Sequence, residues 1–149
     1  MAVPNQYVAA TKAVGSGSLV GSALPSIATV LVGLSMVSEN PGEALLLAAF
    51  PLMVTLACAS VGFLVVVLPL TAVLKRRQTE GANTYSLFSG LGGAGMPVLV
   101  FFMFGGTTSG ILLGLFGLIT GASVGHFWWK WGRKPIVETT DADTAAVFE

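Results

Sequence analysis

Few side chains in this sequence could do chemistry, and they stand apart from one another. His126 is the single histidine and Cys58 the single cysteine. A haem held between two imidazoles needs a histidine on each of two facing helices, and thiol–disulfide exchange needs two thiols. Neither pair exists here. The seven acids are Glu39, Glu43, Glu80, Glu138, Asp141, Asp143 and Glu149. All lie in polar stretches, so no apolar segment carries the embedded carboxylate on which proton-coupled transport depends. The chain therefore reads as non-enzymatic, with no catalytic residue, resident cofactor or metal.

Three places invite a functional reading. The first is Gly90, Gly92, Gly93, Gly95 and Pro97, which crowd one half of an apolar segment. An interrupted helix at mid-membrane is a pointer to a transport site, so Gly92, Gly93, Gly95 and Pro97 are the candidate transport residues. A continuous helix with its glycines packed on a neighbour is the other reading. The second place is His126, on the helical face of Leu112, Leu115, Ile119 and Ser123 and about 140° from the glycines of the same segment. With Ala122 one turn earlier and Trp131 beyond, it is similar to the pigment-ligating stretch of bacterial light-harvesting polypeptides. There the small residue leaves room for a macrocycle, so the resemblance implies a pigment or haem at His126 as the alternative to no cofactor. Read from the residues alone, His126 is an imidazole at the membrane surface, near headgroups and the last carbonyls of its helix. The third place is the pair of basic clusters, Lys75-Arg76-Arg77 and Lys130 to Lys134. Lys75, Arg76 and Arg77, and Lys130, Arg133 and Lys134 with Trp128, Trp129 and Trp131 in an aromatic and cationic belt, are the candidate lipid-headgroup residues. No basic domain is present to hold nucleic acid.

The elements that position these residues follow from hydropathy. The chain is 54% hydrophobic and 9% charged, with a mean hydropathy of +0.83. A soluble domain carries roughly 25% charged residues, so this composition belongs in lipid. Charges bound three uncharged runs, 13–38, 44–74 and 81–129. At 1.5 Å per residue the last run is more than twice a hydrocarbon core of about 30 Å, so it must fold back, and the glycine-rich stretch 105–110 is the place for the turn. The expectation is an all-α, polytopic integral membrane protein with spans at about 19–37, 44–74, 85–104 and 108–129. They form one domain, 18–134, after a polar lead, 1–17, and before an acidic, solvated tail, 135–149. No cleaved signal peptide is expected, because the first apolar run is too long and no A-x-A site follows it.

Small residues should pack these helices. Gly110, Gly114, Gly117, Gly121 and Gly125 fall within an arc of roughly 80° on the fourth span, where close backbone approach replaces the missing hydrophobic force between helices. Ser18, Ser22, Ser26, Thr29 and Gly33 make a similar face on the first span; Ala48, Thr55, Ala59 and Gly62 make one on the second. Asn40, Pro41 and Glu43 have the spacing of a capping box. A kink is expected at Pro51 or Pro69, a helix stop at Gly81 and another at Pro135. Ala-Ser-Val-Gly recurs at 59–62 and 122–125, which hints at two repeated hairpins.

All seven basic residues fall on one side of a four-span arrangement, which places both termini in the cytoplasm. The expected location is the bacterial inner membrane. The expected function is an accessory or assembly subunit that docks on other membrane helices or on copies of itself. The alternative is a small oligomeric channel or transporter built around Gly92–Pro97.

Overall fold

The computed structural model describes residues 5–37, 40–103, 107–138 and 140. Among these the chain is helical apart from short connections, with no strand. Helix α1 is Gln6–Met36 and α2 is Pro41–Gly62; a π-helical stretch, Phe63–Val67, joins α2 to α3, Leu68–Arg77. Helix α4 is Ala82–Met103 and α5 is Thr107–Trp128, which continues into a second π-helical stretch, Trp129–Arg133. Two helices among the described residues, Gln6–Ser35 and Pro41–Arg77, are long and apolar enough to cross a membrane. The expected turn at 105–110, the Glu39 loop and the tail from 141 onward fall wholly or partly outside the described residues.

The first helix starts well before the expected residue 19. Asn5 caps it, accepting a hydrogen bond from the Tyr7 N–H at 3.1 Å, and Gly15-Ser16-Gly17-Ser18, at the end of the expected polar lead, lies in its interior. Glycine and serine are poor helix formers in isolation. Here they are held by burial: Ala9, Ala13, Gly17, Ser18, Gly21 and Ser22 follow one another up a buried face. Packing has overridden propensity. The lead is therefore a structural part of the bundle for most of its length.

Prolines shape the other helices in a way that hydropathy does not reveal. Each π-helical stretch ends two residues before a proline, Pro69 in one case and Pro135 in the other. A proline within a helix collides with the carbonyl four residues back and leaves it without a donor. Widening the preceding turn to π spacing relieves this, as in the bonds from the Leu68 N–H to the Phe63 carbonyl and from the Lys134 N–H to the Trp129 carbonyl. Pro135 consequently does not stop the helix, since 134–138 remain helical. The expected stop at Gly81 also moves. Helix α3 ends at Gln78, a left-handed residue with φ 53°, whose N–H reaches the Leu74 and Lys75 carbonyls. Pro41 opens α2 as expected, but Asn40 makes no side-chain capping bond.

The helices alternate in direction, and their closest contacts give the register. Between α4 and α5 the approach is backbone to backbone. A Cβ added at Gly117 would overlap the Gly93 carbonyl, one at Gly93 the Gly117 carbonyl, one at Gly121 the Ser89 carbonyl and one at Gly125 the Tyr85 carbonyl. Helix α1 lies on the next side of α5, with Gly17 against Val124 and Gly21 against Thr120. It also packs on α2, where Gly33 meets the Ala44 carbonyl. The fourth side, between α2 and α4, is sparsely packed and closes mainly through the first π-helical stretch, where Val66 fills the space beside Gly92. The bundle is thus tight at the end holding Gln6, Arg77, Ala82 and Arg133. At the other end α2 leans chiefly on α1.

Candidate functional site

The tight end contains the most elaborate side-chain arrangement in the structure. Glu80 sits in the short connection between α3 and α4, and Arg133 ends the second π-helical stretch. Arg133 donates from Nε to Glu80 Oε1 at 2.9 Å and from Nη2 to Oε2 at 2.7 Å, a two-pronged bond that matches guanidinium to carboxylate. The Tyr85 hydroxyl donates to Oε1 at 2.9 Å. Both charged side chains are withdrawn from solvent, at 7% and 10% exposure for Arg133 and Glu80. Burial pushes the Glu80 carboxyl upward, but the bonds from Arg133 and Tyr85, with the charges of Arg133 and Lys75, outweigh it and hold the group below its ordinary 4.5. The Arg133 guanidinium moves up, chiefly through its bond to Glu80, against desolvation. With its charges mutually satisfied, the cluster is a clamp between the α3–α4 connection and the end of α5.

Aromatic rings surround the clamp. Trp128 is buried, donates from Nε1 to Thr71 Oγ1 at 3.1 Å and meets Phe63 edge to face at 5.1 Å. Thr71 in turn donates to the Val67 carbonyl at 2.7 Å. Trp129 stacks on the fully buried Tyr85. Gly132 leaves room for the Trp128 ring, which a Cβ there would meet at 2.8 Å. These contacts tie together α2, α3, α4 and α5, and Ala9, Ala13 and Val14 add α1 to the same apolar cluster.

Several residues therefore sit elsewhere than expected. Trp128 and Arg133 were assigned to lipid headgroups; both are buried and bonded within the bundle. Lys75, Arg76, Arg77, Lys130 and Lys134 are exposed, while Trp129 and Trp131 are half-buried. Gly114, Gly117, Gly121 and Gly125 face α4, but Gly62 has nothing within 4 Å and does not act as a packing glycine. Gly110 lies in α5, with surroundings outside the described packing. Ser22 and Ala59 are buried and Ser26 is half-buried. The hydroxyls of α1 bond within their own helix, Ser18 to the Val14 carbonyl and Thr29 to the Pro25 carbonyl, rather than across to a neighbour. The two Ala-Ser-Val-Gly segments have unlike settings, Gly62 being open and Gly125 lying under the Tyr85 carbonyl.

Of the two readings of the third span, the structure has the continuous helix with its glycines packed on a neighbour. Helix α4 runs through Gly92–Pro97 as one α-helix. Gly92 and Gly93 are filled by Val66 and Gly117, and only Gly95 faces open space. His126 is exposed on the outside of α5, beside Phe127. Ala122, one turn below it, packs toward Gly90, with 3.3 Å between the Ala122 methyl and a Cβ built at Gly90.

Two functional features escaped the sequence reading. Gly17 and Gly21 line the α1–α5 contact, and a four-residue glycine spacing on a helix is the signal that could have found them. The Glu80–Arg133 pair had no such signal, since 53 residues separate its members.

No family model matches the chain, and no curated protein or solved structure matches it significantly.

Proposed function

We propose that the protein is a non-enzymatic membrane subunit whose four helices all cross the bilayer and whose outer faces dock on other membrane helices. One observation carries this reading. Gly17, Gly21, Gly93, Gly117, Gly121 and Gly125 are spent inside the bundle, while its outside is clad in large apolar side chains such as Leu24, Leu31, Leu45, Leu46, Phe50, Leu99, Phe102 and Ile111, all exposed by more than half. A surface of that kind is stable only in lipid or against partner helices. Helices α4 and α5, at 22 residues each, are about 33 Å long and carry no formally charged residue, enough to span a hydrocarbon core of about 30 Å. Their alternation with α1 and α2 puts Lys12, Lys75 to Arg77 and Lys130 to Lys134 at one end. By the positive-inside rule that end, with both termini, is cytoplasmic, in a bacterial inner membrane.

The channel or transporter alternative needed an interrupted third helix. An unbroken α4 sealed onto α5 through Gly93 and Gly117 favours the subunit reading instead. The test is extraction in mild detergent. A subunit co-purifies with a larger membrane complex in fixed stoichiometry and supports no solute flux when reconstituted alone; flux from the purified chain alone would overturn the reading.

A further inference from the structure

On the outer side of α4 and α5 runs an apolar groove of about 310 Å³. Gly90 and Ala122 form its floor, Leu87, Leu91 and Leu118 its walls, and Asn83 stands at one end. The register of the two helices identifies that end. Tyr85 faces Gly125, so Asn83 is level with His126 and Phe127, at the cationic end of the bundle. His126 lies one helical turn beyond Ala122, and Lys130 and Lys134 follow at the same spacing. All three are exposed, and the stacked rings of Phe127 and Trp131, 4.9 Å apart, lie beside them. Lys134 is shared with Glu138 at 3.6 Å, whereas Lys130 has no ion-pair partner among the described residues. The other described acids are elsewhere: Glu80 is in the clamp and Glu43 is at the opposite end of the bundle.

An apolar groove that ends in amide, imidazole and ammonium groups has the polarity of one particular occupant. We propose that it holds an anionic phospholipid, with an acyl chain lying over Gly90 and Ala122 and the phosphate received by Lys130 and His126. Asn83 supplies an amide donor to the headgroup. Gly90 and Ala122 pack against each other, and their small side chains leave the groove open above them. The charge requirement follows from Lys130, whose ammonium has no ion-pair partner among the described residues and stands at headgroup depth, where one cation favours an anionic lipid by about fivefold. The proposal rests on the membrane reading above, and is independent of whether a partner complex exists.

The test begins with alkaline carbonate extraction: a chain released from the membrane pellet would refute the membrane reading itself. The retained protein is then taken into neutral detergent and its lipid binding measured by native mass spectrometry, with phosphatidylglycerol and phosphatidylcholine of identical acyl chains. Phosphatidylglycerol is expected to bind about fivefold more tightly. The preference should disappear in Lys130→Gln, both lipids should weaken in Asn83→Trp, which obstructs the groove, and Gly95→Ala, which faces open space away from the groove, should behave as wild type. Circular dichroism of each variant checks that the helices are intact. Inorganic phosphate and glycerophosphate at millimolar concentration should not compete. Equal binding of the two lipids, a preference that survives Lys130→Gln, binding unchanged in Asn83→Trp, loss in Gly95→Ala alone, or competition by inorganic phosphate would each overturn the proposal.

Discussion

The α4–α5 contact and the clamp at Glu80–Arg133 hold the same two helices by opposite means. Along the shared length of α4 and α5 nothing larger than hydrogen stands between facing backbones at Gly93–Gly117, Ser89–Gly121 and Tyr85–Gly125. At the end that holds Glu80 and Arg133, large side chains are held by directional bonds. The glycine contact gains from many weak dispersion and Cα–H···O contacts, each small but available only at close approach. The clamp depends on a few strong bonds between charges that are costly to bury. Close contact thus tolerates no added volume, and the clamp tolerates no missing partner.

Substitutions can break this comparison, beginning with the largest effect. Gly117→Leu and Gly121→Leu each drive a side chain into a facing carbonyl and should prevent recovery of folded protein in detergent, whereas Gly62→Leu and Gly95→Leu, which meet open space, should leave yield and thermal midpoint unchanged. Equal behaviour of the two sets would show that the contact is not the basis of packing. Next, Glu80→Leu or Arg133→Met alone should cost about 3–5 kcal/mol by leaving one buried charge unmatched, while the two together should recover most of that loss. Thermal unfolding of the four proteins in one detergent measures the coupling.

Acid should weaken the clamp. Because the Glu80 carboxyl is held below 4.5 in the folded state, its contribution is complete above that value and is lost as pH falls through the lower, folded-state value. Wild type should lose more stability than Glu80→Gln when unfolding midpoints are compared between pH 6 and pH values well below 4.5. The smallest effect concerns Gln78. Its left-handed backbone, with φ 53°, costs a non-glycine residue about 1 kcal/mol, so Gln78→Gly should raise the unfolding free energy by roughly that amount. A decrease would mean that the Gln78 side chain contributes contacts that outweigh the strain.

Much of the architecture was legible because it depends on short-range patterns. The uncharged runs marked the helices, Pro41 marked a helix start, and the spacing of Gly114, Gly117, Gly121 and Gly125 marked a face. The start of α1 was not legible, because Gly15–Ser18 look like a linker until Val124 and Thr120 of α5 cover Gly17 and Gly21. The effect of Pro69 and Pro135 was missed for a related reason: a helix can widen into a π-turn rather than end, and the sequence shows only the proline.

The glycine stripe illustrates where the division lies. The sequence alone determined that α5 has one face without side chains and an opposite face with Leu115, Ile119 and His126, because helical periodicity is local. Only the tertiary structure decided that the stripe is met by the carbonyls of Tyr85, Ser89 and Gly93. It also decided that Arg133 and Trp128, which look like headgroup anchors, turn inward to Glu80 and Thr71. The physical reason is that a cation and an indole are equally at home at a lipid surface and in a satisfied polar cluster. Which of the two they occupy depends on whether a carboxylate and a hydroxyl from distant parts of the chain are brought within bonding distance.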